Sequence, residues 1–221
     1  MNKRSNFGDD CWEENYENGR FNRYPYDEIV SFILKNYKQQ SNILDLGCGG
    51  GNNSLFCLNE GHSVIAVDGS LSSIAITKEL CHNNKSLICL HNDLKELTVN
   101  DDSVDCVIDR QSMGHNSKDD IRKIIKELSR VLVKGGKVIS FIFSQGCETL
   151  ENDIHIGDDS YFKFETGPFS KSGYVYFTNK DDILDLFGEF DIVDIRISSS
   201  KSLVNSFSNE YFVIEAQKKV D

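Results

Sequence analysis

The sequence has little proline, little tryptophan and no long apolar run. Its 221 residues include 2 prolines and 1 tryptophan. With so little proline and no low-complexity tract, nothing is typical of a flexible linker, and one domain over 1–221 is predicted. No run approaches the roughly 18 apolar residues of a membrane helix, and the first residues lack the apolar core of a secretion signal. We therefore expect a soluble, cytoplasmic protein without a membrane partner.

Positive charge is scarce as well. The 24 Lys and Arg residues are outnumbered by 35 Asp and Glu residues, for a formal net charge of -11. Such a chain repels a phosphate backbone, and no basic stripe offsets the repulsion, so nucleic acid is not expected as a partner. We interpret the acidity as a solubilising surface in preference to a site for a cationic partner. No pattern in the sequence indicates an oligomeric state.

The cysteine pattern argues against disulfides and against a metal site. There are seven cysteines, an odd number, and no Cys-x-x-Cys pair. Cys57 and others lie inside strand-like or helix-like runs, which is typical of reduced thiols in a core. Cys81 and His82, together with Cys89 and His91, lack the ligand spacing of a zinc site. No metal is therefore expected.

Strand-like and helix-like segments alternate along most of the chain. Apolar periodicity predicts a helix over 25–38 with Pro25 at its first position, and a long helix that starts at Ser117 and is ended by Gly135 and Gly136. The alternation favours an α/β fold with a doubly wound, mostly parallel sheet. Only a polar loop joins the last two strands, so these are predicted to be antiparallel neighbours. The seven predicted strands are 42–46, 64–67, 87–90, 104–108, 137–143, 191–198 and 210–217.

A glycine-rich turn, Asp45-Leu-Gly47-Cys-Gly49-Gly-Gly51, follows the first predicted strand. In doubly wound sheets a ligand binds where such a turn meets a helix N-terminus. A nicotinamide-binding G-x-G-x-x-G pattern counted from Gly47 would need a third glycine where Asn52 stands. The segment instead resembles the first motif of class I S-adenosylmethionine-dependent methyltransferases, in which an acidic residue precedes G-x-G-x-G. The resemblance covers residues 40–145 and implies S-adenosylmethionine as the cofactor.

The resemblance also implies roles for individual residues. The glycines let the backbone approach the cofactor, and Asp45 can meet its ammonium, directly or through water. Asp68, after the second strand, can accept hydrogen bonds from the ribose hydroxyls. His91-Asn-Asp93-Leu resembles the adenine contact of the family, with a helix cap or a solvated turn as the alternative for Asp93. The implied cofactor-binding residues are Asp45, Gly47, Gly49, Gly51, Asp68, Gly69, Asn92, Asp93, Leu94 and Asp109.

The segment 109–115, after the fourth strand, is where methyl donor and acceptor should meet. Its Asp109-Arg110 pair resembles a feature of thiopurine-methyltransferase-like members, and Arg110 is predicted to contact the acceptor. Methyl transfer is an in-line displacement that needs a base only when the acceptor must lose a proton. His115 is the candidate catalytic base, because imidazole titrates near neutrality. The alternative is a polar cap just ahead of the helix at Ser117.

Residues 1–40 are predicted to form a helical lid over the cofactor. Trp12 and Tyr16 would face the cofactor, while Arg20 or Arg23 would bind an anionic acceptor or the cofactor carboxylate. The opening of the chain is loosely similar to methyltransferases encoded near surface-polysaccharide genes. That similarity implies a small polar acceptor such as a sugar. The alternative is a structural extension anchored by its aromatic side chains.

Residues 144–178 interrupt the alternation and carry many aromatic residues. Irregular segments at this end of a sheet usually set specificity, so an acceptor-facing insertion is predicted, and an additional hairpin is compatible with the same pattern. Two competing functions stay open at this point. One is an NAD-dependent oxidoreductase, which Asn52 opposes, and the other is a non-catalytic domain that binds S-adenosylmethionine.

Overall fold

The computed structural model describes residues 10–147, 153–155, 161–164, 169–170, 172–204 and 208–220. The α-helices in these ranges are α1 Asp10–Glu17, α2 Asp27–Asn36, α3 Asn52–Asn59, α4 Leu71–Leu80, α5 Lys118–Val131 and α6 Lys180–Leu186. The strands are β1 Asn42–Leu46, β2 Ser63–Asp68, β3 Leu87–His91, β4 Val104–Arg110, β5 Leu132–Phe143, β6 Asp153–His155, β7 Tyr161–Phe164, β8 Tyr174–Tyr176, β9 Phe190–Lys201 and β10 Ser208–Lys218. None of these helices has the length and apolar character needed to cross a membrane.

Seven strands form one sheet in the order β3-β2-β1-β4-β5-β10-β9. The strands from β3 to β5 are parallel, and β1 pairs with both β2 and β4. The strand order therefore changes direction beside β1, which is where such a sheet opens a ligand crevice beyond its carboxyl ends. β10 runs antiparallel to β5 and to β9. The doubly wound, mostly parallel sheet and its reversed terminal strand are thus confirmed.

Helices cover both faces of the sheet. Its central strands carry apolar side chains on both faces, and these must be kept from water. Ile43 and Leu44 in β1 are each fully buried, and they belong to different apolar clusters. Leu44 packs in the cluster that contains the apolar stripe of α5, whereas Ile43 packs in the cluster that contains α2. Continuous apolar strands of this kind are typical of parallel sheets between two helical layers. The two layers hold the carboxyl ends of β1, β2 and β4 in fixed positions.

Two predicted helix ends are wrong. Helix α2 begins at Asp27 after Tyr26, which has extended backbone angles, so Pro25 precedes the helix and is not its first residue. Helix α5 ends at Val131, and strand β5 begins at Leu132. The glycines at 135 and 136 therefore lie inside β5 and do not end the helix. The pairing with β4 shifts register between Val104 and Cys106, which accommodates this part of β5.

A second, three-stranded antiparallel sheet, β6-β7-β8, lies in the segment 144–178. Phe164 of β7 and Val175 of β8 join Phe143, Phe169 and Phe177 in a small buried cluster. The hairpin alternative therefore holds for these aromatics. No described residue of 144–178 lines the main cleft. The predicted acceptor-facing role of 148–152, 156–160, 165–168 and 171 falls outside the described residues.

Candidate functional site

A cleft with a volume of about 560 Å³ lies at the carboxyl ends of β1, β2, β3 and β4. This volume is within the range of cavities that hold small molecules. The cleft combines the loops after these strands with a part of the chain that precedes α2. The predicted site residues that line it are Trp12, Tyr16, Arg20, Gly47, Gly49, Asp68, Gly69, Asn92, Asp93, Leu94, Arg110 and His115.

The glycines of the loop after β1 make room for protein atoms as well as for a ligand. Gly47 has φ +66, and a Cβ there would lie 2.0 Å from Ser112 Oγ. Ser112 Oγ donates a hydrogen bond to the Leu46 carbonyl at 2.8 Å, which ties this loop to the end of β4. At Gly49, with φ +55, a Cβ would lie 3.0 Å from the Tyr16 hydroxyl. Side chains at these positions would therefore push apart the parts of the chain that enclose the cleft.

Asp68, at the end of β2, is held by two backbone N–H groups, one from the loop after β1 and one from the loop after β2. Its Oδ2 accepts a hydrogen bond from the Gly49 N–H and its Oδ1 from the Ser70 N–H, each at 2.9 Å. Burial raises the pKa of the Asp68 carboxyl, and the two N–H groups oppose that rise. Each carboxylate oxygen can accept a further hydrogen bond. Because Asp68 lines the cleft, a ligand with neighbouring hydroxyls can donate to both oxygens.

The loop after β3 is organised by its own side chains. Asn92 Oδ1 accepts hydrogen bonds from the Thr98 N–H at 2.8 Å and from Thr98 Oγ1 at 2.6 Å. Asp93 Oδ1 accepts the Lys95 N–H at 2.9 Å, which is the turn geometry weighed as the alternative for Asp93. Asp93 and Leu94 nevertheless both line the cleft. The structural turn and a ligand contact are therefore compatible at Asp93.

Two predicted cofactor carboxylates lie behind the cleft wall. Asp45 accepts hydrogen bonds from Ser54 Oγ at 2.6 Å and from Asn53 Nδ2 at 3.4 Å. Asp109 Oδ2 accepts one from Ser140 Oγ at 2.6 Å, and its Oδ1 accepts two backbone N–H groups at 2.9 and 3.1 Å. Burial raises the pKa of each carboxyl to about 6. Neither side chain lines the cleft, and both are engaged in fixing loops. Their predicted contacts with the cofactor stay predictions.

Gly51 and Arg23 also lie off the cleft wall, contrary to their predicted placement. A Cβ on Gly51 would meet the Thr77 side chain at 2.9 Å, so this glycine allows α3 to pack on α4. Arg23 is exposed in the extended stretch before α2 and does not line the cleft. Among the predicted arginines, Arg20 and Arg110 line the cleft.

His115 lies at the end of a 3-10 turn, Met113–His115, on the cleft wall. Its Nδ1 is 2.9 Å from the Tyr174 carbonyl oxygen. Since a carbonyl only accepts, Nδ1 carries the proton of the neutral ring and Nε2 carries the lone pair. The ring of Trp12 meets the imidazole edge-on, with 4.7 Å between centroids. The described part of the insertion thus reaches the site through one backbone oxygen that orients His115.

We call residues 10–26 the cover segment, because α1 and the stretch after it lie across the cleft. Trp12 contacts His115 on one side, and Tyr16 approaches Gly49 on the other. Burial, and then the nearby Asp68, raise the pKa of the Tyr16 phenol well above its ordinary value, so its hydroxyl stays protonated. Further along, Phe21 lies against Gly50, where a Cβ would be 2.4 Å from the Phe21 ring.

Sequence reasoning did not single out several residues on the cleft wall, among them Glu13, Asn53 and Gln111. Gln111 has φ +66, a strained conformation for a residue with a side chain, and such strain concentrates at functional sites. Glu13 and Asn53 belong to no recognisable sequence motif. The partners of Glu13 are distant in sequence, and Asn53 follows a loop whose path is not predictable. For Gln111, the sequence offered one signal: the turn directly after β4 has no glycine at this position.

The buried thiol in the glycine loop is not suited to nucleophilic chemistry. Cys48 Sγ lies 3.5 Å from Thr77 Oγ1 and 3.8 Å from Ser73 Oγ. Burial, with Asp68 and Asp45 nearby, raises the pKa of the Cys48 thiol well above its ordinary value. A thiol that stays protonated is a poor nucleophile. Across the described part of the chain, no group of three or more His, Cys, Asp or Glu side chains could hold a metal ion.

Comparisons with known proteins agree with this geometry. Residues 43–136 match a family model described as a methyltransferase domain. The Bacillus subtilis protein YqeM, which is named as a methyltransferase, is 27% identical over 122 residues, or 54% of this chain and 49% of YqeM. The aligned region thus spans about half of that relative. The ubiquinone biosynthesis O-methyltransferase of Pelagibacter ubique is 26% identical over 185 residues, or 74% of this chain and 76% of the relative.

Solved structures show the same fold. An S-adenosylmethionine-dependent methyltransferase from Methanosarcina mazei matches with a TM-score of 0.69 and 21% identity, over 90% of this chain and 100% of that one. The 1,6-didemethyltoxoflavin-N1-methyltransferase of Burkholderia thailandensis, solved with its substrate and S-adenosylhomocysteine, matches with a TM-score of 0.70 and 15% identity, over 93% of this chain and 84% of that one.

Proposed function

We propose that this protein is a class I S-adenosylmethionine-dependent methyltransferase and that it methylates a small polar acceptor such as a sugar or a related metabolite. One observation carries the proposal. The glycine loop, Asp68 and His115 line the same cleft, although they come from three separate strand ends. The loose similarity of the N-terminal segment to methyltransferases encoded near surface-polysaccharide genes supports the acceptor class.

The residues present fit the cofactor. Among the described residues, the buried side-chain polar atoms without a hydrogen-bond partner are Asn53 Oδ1 and Arg110 Nε, and both residues line the cleft. Buried polar atoms are normally paired, so two orphans in one cavity point to a ligand. One is an acceptor and the other a donor. The amino-acid end of S-adenosylmethionine offers an ammonium and a carboxylate, which complement this pair.

Arg110 is held in place for such a contact. Its guanidinium carbon lies 3.5 Å from the centroid of the Tyr26 ring. With its amide oxygen turned toward Arg110, Asn22 accepts from both terminal nitrogens, at 3.1 and 3.2 Å. The Nε–H has no protein partner and is available to the cofactor carboxylate. This role differs from the acceptor contact predicted from the sequence for Arg110, and it leaves Arg20 as the cleft-lining arginine for an anionic acceptor.

The remaining residues bind, orient and move a proton. Asp68 would hold the ribose hydroxyls of the cofactor, and Asp93 and Leu94 would hold its adenine. When bound, the cofactor supplies an electrophilic methyl group on its sulfonium. Trp12 and Tyr16 exclude water from the cleft. This exclusion favours attack on the methyl group by the acceptor over attack by water. His115 Nε2 takes the proton of the acceptor hydroxyl or amine as the new bond forms.

Two measurements on the full chain test the proposal. Calorimetry should detect binding of S-adenosylhomocysteine, whereas NAD, as the matched nucleotide control, should neither bind nor raise the melting temperature. Incubation with labelled S-adenosylmethionine and a panel of sugars, sugar phosphates and polar metabolites should then label at least one of them. Binding without any transfer would favour a non-catalytic binding domain. Binding of NAD without binding of S-adenosylhomocysteine would favour the oxidoreductase.

A further inference from the structure

Glu13 joins helix α1 to the start of helix α4. Its carboxylate accepts hydrogen bonds from Ser70 Oγ at 2.6 Å, from Ser72 Oγ at 2.5 Å and from the Ser72 N–H at 3.2 Å. A carboxylate is favourable at this place, because the first N–H groups of a helix lack partners within the helix. Partial burial raises the pKa of Glu13, but these hydrogen bonds outweigh burial and lower it overall. Glu13 is therefore ionised at neutral pH and bound to α4.

This contact adjoins the nucleoside part of the cleft. Ser70, which donates its hydroxyl to Glu13, also donates its N–H to Asp68 Oδ1 at 2.9 Å. The carboxylate assigned to the ribose and the carboxylate that holds α1 therefore share one residue. On the opposite side, Trp12 packs on His115. Helix α1 thus bridges the cleft and is attached on both sides.

The other end of the cover segment is attached separately. Asn52 Nδ2 donates a hydrogen bond to the Tyr24 carbonyl at 2.7 Å, and Phe21 packs on Gly50. Between the two attachments lies Gly19, with φ +70 and no atom within 4 Å of a would-be Cβ. An unhindered glycine beside the end of a helix can absorb a change in backbone angles. Helix α1 can therefore turn away from the cleft while 21–26 stay in place.

We propose that Glu13 is a positioning residue that holds α1 over the bound cofactor, and that breaking its contact with Ser70 and Ser72 sets the rate of cofactor release. The inference rests on the proposed function and extends it from the binding of the cofactor to its residence time. A cofactor beneath α1 would leave when α1 moves, and the charge-assisted contacts of Glu13 oppose this movement.

The rate of S-adenosylhomocysteine dissociation tests the proposal without requiring turnover. Trp12 is the single tryptophan of the chain and lies in the cleft, so its fluorescence follows ligand release in a stopped-flow displacement experiment. Glu13→Ala should accelerate dissociation about tenfold, the effect of losing one hydrogen bond to a charged group. Glu13→Gln, which keeps one acceptor oxygen, should fall between this variant and the wild type. The matched control is Glu14→Ala, which removes the same charge from an exposed position of α1.

A second variant keeps the proposal testable if Glu13→Ala does not fold. Ser72→Ala removes a partner of Glu13 that does not line the cleft, and should accelerate dissociation severalfold with an unchanged melting temperature of the ligand-free protein. Dissociation from Glu13→Gln and Ser72→Ala at the wild-type rate would overturn the role of Glu13 and leave the proposed function intact. Absence of any binding to the wild-type protein would instead overturn both.

Discussion

The two sides of the cleft are built in different ways. The strand-end loops after β1, β2 and β4 are buried or half-buried, and the carboxylates at these strand ends accept hydrogen bonds from neighbouring protein groups, as the two backbone N–H bonds to Asp68 show. The cover segment brings three aromatic rings, Trp12, Tyr16 and Phe21, to the cleft beside charged and polar side chains. Its polar attachments include Glu13 and the Tyr24 carbonyl. One side is thus an extension of the core, whereas the other is a separately attached layer.

This difference separates two properties of a binding site. Groups fixed by the core determine which ligand fits, because their positions do not depend on the ligand. A layer held by a few polar contacts determines how long the ligand stays and what can approach it, because those contacts can break without unfolding the core. His115 lies where both sides meet, since it touches Trp12 and belongs to the loop after β4.

The largest effect is expected at this meeting point. His115→Ala should lower turnover by about 10²–10⁴-fold, the usual contribution of a general base, while the affinity for S-adenosylhomocysteine changes little. Initial rates with a labelled acceptor and calorimetry would measure the two quantities. His115→Gln provides the matched control, because it keeps a polar side chain without a base of suitable pKa. Full turnover in that variant would favour the polar-cap alternative.

The next largest effect concerns only the strand-end loops, which extend the core. Burial raises the pKa of Asp109 to about 6 from an ordinary value of 3.8. The folded state therefore holds this proton more tightly than the unfolded state, so the contribution of Asp109 to stability is present below about pH 4 and is lost as pH rises to 6. The wild type should lose about 3 kcal/mol relative to Asp109→Asn between pH 3 and pH 7. Denaturant unfolding at several pH values measures the difference.

An exposed carboxylate serves as the control for this prediction. Asp185 has its pKa lowered by a hydrogen bond from Arg122, so Asp185→Asn should show a small dependence of opposite sign. A pH-independent difference for Asp109→Asn would show that the carboxyl at 109 is not shielded from solvent as the structure describes.

Asp68 tests whether the core side selects the ligand. Asp68→Ala should weaken binding of S-adenosylhomocysteine about 30-fold, since hydrogen bonds to a charged acceptor contribute about 2 kcal/mol. Calorimetry measures the change, and Glu14→Ala controls for the loss of one negative charge. Unchanged affinity would contradict both the ribose assignment and the division between the two sides.

The smallest effect is expected at Arg110, which connects the core side to the cover segment. Arg110→Lys keeps the charge but removes the Nε–H and the planar contact with Tyr26. The affinity for S-adenosylhomocysteine should fall about fivefold, whereas the KM for an acceptor should stay near its wild-type value. A raised acceptor KM with unchanged cofactor affinity would return Arg110 to the acceptor role predicted from the sequence.

Much of the core side was predictable from the sequence. Apolar runs, the Gly47-to-Gly51 spacing and a carboxylate at 68 are local patterns, and the observed strand order and reversed β10 agree with them. The positions of Asp45 and Asp109 were not predictable, because a residue at a strand end can face the cleft or the layer behind it. The sheet buries both and supplies partners such as Ser54 and Ser140.

The amino-acid sequence alone determined the alternation of strands and helices in the large sheet and the glycine loop after β1, because periodicity and spacing depend on residues close together in the chain. Only the tertiary structure decided which side chains meet across the cleft. Glu13 and Ser70 are 57 residues apart, and Ser112 fills the space left by Gly47 from 65 residues away. Such contacts form because the sheet brings the ends of β1, β2 and β4 together. No local sequence pattern encodes contacts between residues so far apart in the chain.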